Sequence, residues 1–141
     1  MLGNSIQTGN GKILDGLGVF DFDVVESDTK RTTGDAIMKS DIFSEAFVGF
    51  INKCSIVKGV KSPLFTVQMG SGNSPDDKVE GIVSDHFFGT GLIGPVLVRN
   101  PHFLRYLLKL MLKEKYRETA YPFEEKGYAI TLKELSARMN G

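Results

Sequence analysis

Residues 88–101 read FGTGLIGPVLVRNP, and a long helical pattern follows directly behind them. Three glycines and two prolines enclose a short apolar run, so the approach to the helix is conformationally restricted. Asn100 stands where an N-cap belongs, and Pro101 stands at the first helical position, where its missing N–H costs nothing. Phe103, Leu107, Leu110 and Met111 recur at three- and four-residue spacing, with Leu104, Leu108 and Leu112 widening the stripe. This pattern predicts a helix from Pro101 to near Glu118, ahead of Pro122. A second, shorter helix is expected over residues 130–140, ITLKELSARMN, with Thr131 and Glu134 as its capping box.

Upstream of that stretch the pattern changes to strands. Val19, Phe20, Phe22, Val24 and Val25 alternate with Asp21 and Asp23 as in a half-buried strand. Residues 26–34 are polar and turn-like. Residues 36–41 and 45–52 predict two short strands, 63–70 another, and 78–92 again favour strand. Residues 1–8 read like the tail of a helix closed by the Gly9-Asn10-Gly11 turn. Strands followed by helices give an α/β or α+β layout with much of its sheet antiparallel.

The chain has 141 residues, of which 41% are hydrophobic, enough for one domain with a real core. Seventeen basic residues balance seventeen acidic ones, so net charge gives no reason to expect nucleic acid or an anionic membrane as partner. The local basic excess (Arg105, Lys109, Lys113, Lys115, Arg117) is expected to be the solvated face of the helix after Pro101. A single cysteine, Cys54, excludes an internal disulfide and fits a reducing compartment. The first residues lack a basic segment followed by a long apolar run, so no signal peptide is read. No stretch approaches the roughly 18 to 20 apolar residues that span a bilayer. The expectation is a cytoplasmic, soluble protein.

Candidate chemistry is sparse. His86, His102 and Cys54 have no metal-ligand spacing, and no metal or cofactor is expected. His86 reads as a structural histidine and His102 as an exposed one. The loop 70–77, GSGNSPDD, lacks the order of a phosphate-binding loop and reads as a turn between strands. Lys53 and Lys58 flank Cys54, but the sequence places no oriented base beside the thiol.

Taken in order, GLGVFDF (16–22), KRTTGDAIM (30–38), VGFIN (48–52), PLFTVQMGSGN (63–73) with DKVEG (77–81), and GTGLIGPVLVRNP (89–101) form a recognisable series. It resembles the second half of a class I glutamine amidotransferase domain of the cobyric acid synthase (CobB/CobQ-like) type. Within that type it is most similar to the glutaminase subunits of lipid II isoglutaminyl synthases. The likeness runs from about Met1 to Lys115. It implies the C-terminal half of a flavodoxin-like α/β sheet with a partly antiparallel portion and a long C-terminal helix. It also implies a partial amidotransferase-like domain over residues 1–118 and, over 119–141, a C-terminal extension with a short helix.

Such domains hydrolyse glutamine with a cysteine on a nucleophile elbow, C-G-G-x-Q-x-L-G, and a histidine in G-T-Y-L-H-G-P, and pass ammonia to a synthetase. Leu2-Gly3 matches the end of the elbow, which would put the cysteine before Met1. In Gly89-Thr90-Gly91-Leu92-Ile93-Gly94-Pro95, Ile93 stands at the histidine's place. By the resemblance Arg31 would hold the substrate carboxylate, and Gly49, Phe50 and Asn52 would lie beside the active site. Ile51 replaces an acidic residue there, and Lys53 a histidine. The expectation is a truncated domain with no catalytic residue of its own. Its partners would be a Mur-ligase-like synthetase subunit and a second copy through an exposed sheet edge, with glutamine bound only if the site is completed in trans. The alternative is the glutaminase half of a split enzyme.

Overall fold

The computed structural model describes residues 1–27 and 31–140. Its framework is an antiparallel pair, β4 (Thr32–Lys39) and β5 (Phe47–Lys53), in register from Thr32 opposite Lys53 to Met38 opposite Phe47. Residues Thr32–Gly34 look polar and turn-like in sequence. They are strand because this partner satisfies their backbone groups. β7 (Phe65–Met69) pairs with the other side of β4 through an irregular step between Ile37 and Met38, and β8 (Val79–Glu80) lies beyond it. β11 (Leu92–Ile93) adds to β5, which gives a five-stranded sheet in the order β11-β5-β4-β7-β8.

A second, smaller sheet contains β1 (Ser5–Gln7), β2 (Ile13–Asp15), β3 (Asp23–Glu26) and β6 (Ser55–Lys58) in the order β2-β1-β3-β6. Only its β1–β3 pair is parallel. Residues Ser5–Gln7 are therefore strand, not the tail of a helix, because β2 and β3 flank them on both sides. Val19 and Phe20 precede β3 instead of belonging to it. β9 (Ile82–Ser84) and β10 (Phe87–Gly89) form a hairpin that carries the chain from β8 to β11. Gly81, at φ 69°, makes the corner between β8 and β9, where a Cβ would stand 2.4 Å from Gly89 O.

Three helices follow: α1 (Val96–Arg99), α2 (Pro101–Leu112) and α3 (Pro122–Asn140). α2 stops short of the expected Glu118, because Lys113 turns to φ 48° and a single 3-10 turn, Lys113–Lys115, replaces the last helical residues. α3 begins at Pro122 and has 19 residues, so the predicted short helix is the second half of a longer one. Thr131 and Glu134 lie within it and cap nothing.

The helices cover both faces of the large sheet. Ala36, Met38, Phe47, Ile51, Phe65 and Leu92 form one face with Leu64 and Phe103 of α2. Ile37 and Val48 form the other, under Leu135 of α3 with Leu132 and Tyr128 around it. This is the side-to-side alternation expected of a strand buried on both sides. The result is a mixed α/β architecture. The basic residues of α2 are partly used within the fold: Arg105 pairs with Glu118 and Glu125, and Lys109 pairs with Glu118.

Candidate functional site

The opening stretch ends at Asn100, and the structure gives that residue a different task from capping. Its side chain makes no cap hydrogen bond and is fully buried. Asn100 Oδ1 accepts from Val48 N at 2.8 Å, and Nδ2 donates to Val48 O at 2.9 Å and Val96 O at 2.8 Å. One amide thus ties the start of α2 to strand β5 and to α1. Pro101 does sit at the first helical position.

The other end of the stretch is held by a residue not singled out from sequence. Glu80 is 1% exposed, and its carboxylate accepts from Thr90 Oγ1 and from Gly91 N, both at 2.7 Å. Burial pushes its pKa up, against the opposing pull of those two donors and of Lys53. Asn73 supports the same corner: Gly81 N donates to its Oδ1 at 2.9 Å, and its own N–H donates to Val79 O at 2.8 Å. The signal was present in the sequence as Val79-Glu80-Gly81, an acidic residue inside a strand pattern, and as the asparagine in GSGN. The loop 70–77 is thus a turn between β7 and β8, as read.

Between these supports the loop reaches β11, where Leu92 is buried and Ile93 is 43% exposed. Ile93, Asn52, Lys53, Glu80 and Thr90 line one cavity of about 460 Å³, whose remaining wall includes Leu2, Phe22, Val57, Val60, Ile82 and Phe87. Lys53 Nζ donates to Gly72 O at 2.7 Å and Asn73 O at 3.2 Å, and burial lowers its pKa despite the nearby Glu80 and Asp77.

Of the four candidate substrate-binding residues, two are joined directly. Arg31 Nη1 donates to Asn52 Oδ1 at 2.6 Å at the exposed mouth of β4 and β5. Phe50 lies on β5 between Asp35 and Ile93 of the neighbouring strands and is half-buried. Gly49 is buried beneath Leu92, whose Cδ2 would lie 2.9 Å from any added Cβ. Its small size is what lets β11 approach.

The remaining candidates lie elsewhere. Cys54 is exposed and free, on the turn between β5 and β6. His86 is exposed in the β9–β10 turn and is no structural histidine. His102 is not an exposed residue: its ring lies 4.6 Å from Phe47 and 5.4 Å from Tyr128, and burial lowers its pKa. Among the described residues no group of three or more His, Cys, Asp or Glu side chains could hold a metal, and no helix is long and apolar enough to cross a membrane.

No family model matches the chain. It is 39% identical over 125 residues to the lipid II isoglutaminyl synthase (glutamine-hydrolyzing) subunit GatD of Staphylococcus aureus (strain N315). The chain is a homologue of GatD. The match covers 89% of this chain and 49% of that protein. The GatD subunit of Streptococcus pneumoniae (strain ATCC BAA-255 / R6) is 30% identical over 118 residues, which cover 82% of this chain and 45% of the relative. The chain therefore spans about half the length of the GatD relatives it matches.

Proposed function

We propose that this chain is a GatD-like amidotransferase portion of the CobB/CobQ type that keeps the scaffold of a glutaminase and does not itself turn over glutamine. The scaffold would be the corresponding part of a flavodoxin-like domain. The observation that carries this reading is Ile93. Ile93 lines the cavity, at the position where the resemblance puts the activating histidine, and a hydrocarbon accepts no proton at any pH. A general base must come within hydrogen-bond reach of the nucleophile. The other titratable residues of the cavity wall serve the fold instead, Glu80 holding Thr90 and Gly91, and Lys53 holding two carbonyls.

What remains is suited to association. The role that fits is a partner-binding one tied to amidation of a cell-wall precursor, in the cytoplasm, beside a Mur-ligase-like synthetase. The exposed β2 edge, with Ile13 65% and Leu14 41% exposed, offers a second copy or another chain a strand to pair with.

One observation favours a second reading, in which the chain is the glutaminase half of a split enzyme completed in trans. Arg31 is paired with Asn52, a residue of the cavity wall, and by the resemblance its guanidinium would hold the glutamine carboxylate near Gly49 and Phe50. Ammonia release from glutamine separates the two. It is measured for the chain alone and mixed with the unmatched half of the Staphylococcus aureus relative, each with and without Ile93→His. The preferred reading expects background rates from the unmodified chain in both settings and a gain only when Ile93→His is present in the mixture. Turnover by the unmodified chain would overturn it.

A further inference from the structure

We propose that the cavity beside Ile93 is a binding site for a small monocarboxylate with an aromatic or branched apolar body, its carboxylate set against the Lys53 ammonium. The volume, about 460 Å³, falls in the range of small-molecule sites. Its chemistry is divided. Leu2, Phe22, Val57, Val60, Ile82 and Phe87 supply hydrocarbon, and Asn52, Lys53, Ser55, Asn73, Glu80 and Thr90 supply the polar groups. Sites of this kind bind ligands that are apolar along their length and polar at one tip.

The charge these polar groups offer a ligand is cationic. Lys53 is the one basic side chain of the wall, and two of its three N–H groups are committed to Gly72 O and Asn73 O. Among the described residues the third has no hydrogen-bond acceptor and is open to a ligand. Glu80 stands in the same wall, but its two oxygens accept from Thr90 Oγ1 and Gly91 N, so its carboxylate is committed to the loop. An incoming carboxylate would restore part of the solvation that burial removes from the ammonium.

Ile93 and Lys53 occupy two positions where the resemblance expects histidines. With a hydrocarbon at one and a cation at the other, the wall offers no imidazole and sets an ammonium beside apolar side chains. Glutamine offers this wall no apolar body, and its side-chain amide would lose hydrogen bonds wherever it met Phe22, Val57 or Val60. The inference deepens the reading of Ile93 only in using its hydrocarbon character, which holds whatever ammonia release shows.

The test is an NMR titration of the full chain with 3-phenylpropanoate, 3-phenylpropanamide and glutamine, repeated with Lys53→Met. We expect saturable shifts of amides around Lys53, Asn73 and Thr90 with the acid, at a Kd of about 1 mM or tighter. The amide should bind at least about fivefold more weakly, and Lys53→Met should abolish the preference for the acid. No saturation by about 10 mM, equal affinity for acid and amide, or glutamine binding as tightly as the acid would each overturn the proposal. If Lys53→Met does not fold, the acid and amide compared on the unmodified chain decide the matter.

Discussion

Asn100 carries three hydrogen bonds in a fully buried setting, two of them to the backbone of Val48 on a strand 52 residues away. Asn100→Ala would remove the side-chain partner of Val48 N, Val48 O and Val96 O. The expected loss is roughly 2–4 kcal/mol, read from chemical denaturation. His102 gives a pH-dependent counterpart. Its ring lies among Phe43, Phe47 and Tyr128, its buried Nε2 has no hydrogen-bond partner among the described residues, and the charged groups around it are Glu45, which raises its pKa, and Arg105, which lowers it. Burial wins, and the folded pKa lies below the ordinary 6.5. The unfolded chain then takes up the proton first, so stability is complete above 6.5 and falls as pH drops from there towards the folded value. The slope can reach about 1.4 kcal/mol per pH unit. Melting temperatures between pH 7 and pH 5 should fall more steeply for the unmodified chain than for His102→Phe, and parallel curves would exclude the effect.

At the level of elements, what was legible in sequence was periodic and local. Residues 36–41, 45–52 and 63–70 read as strands and the stripe after Pro101 as a helix, and the structure has these elements, although Met111 and Leu112 of the stripe are exposed. The elements misread are those decided by distant partners. Ser5–Gln7 becomes strand through Asp23–Val25, and Thr32–Gly34 through Ile51–Lys53. The first half of α3, PFEEKGYA, contains a glycine and few apolar residues, so it offers no stripe. It is anchored by its second half and by the Tyr128 hydroxyl donating to Ala46 O at 2.9 Å. Leu135 is the one buried residue of that helix, against Ile37 and Val48. Leu135→Ala is therefore expected to cost about 2–5 kcal/mol. Circular dichroism and limited proteolysis should show α3 released before the sheet unfolds.

For the molecule as a whole, the candidate site was half legible. Arg31, Asn52 and the loop to Ile93 were named as candidates by resemblance; the structure joins Arg31 to Asn52 and puts Asn52 and Ile93 in one cavity. Glu80 and Asn73 were missed because their importance lies in burial, and a single carboxylate or amide in a row of letters does not announce what surrounds it. The same imbalance of burial divides the two sheets. None of the residues in β1, β2, β3 or β6 is buried, whereas β4 and β5 hold most of the core. Amide hydrogen exchange should follow that division: protection factors in β4 and β5 are expected to exceed those of the small sheet by at least about tenfold. Uniform protection would mean one cooperative unit.

The helical layer also holds every tyrosine of the chain. There is no tryptophan, and the four tyrosines, at 106, 116, 121 and 128, all lie on α2, on α3 or on the segment between them. Tyrosine emission is accordingly a gauge of helix docking and is blind to the small sheet. A melt followed by fluorescence and one followed by far-ultraviolet dichroism would be watching different parts of the same molecule.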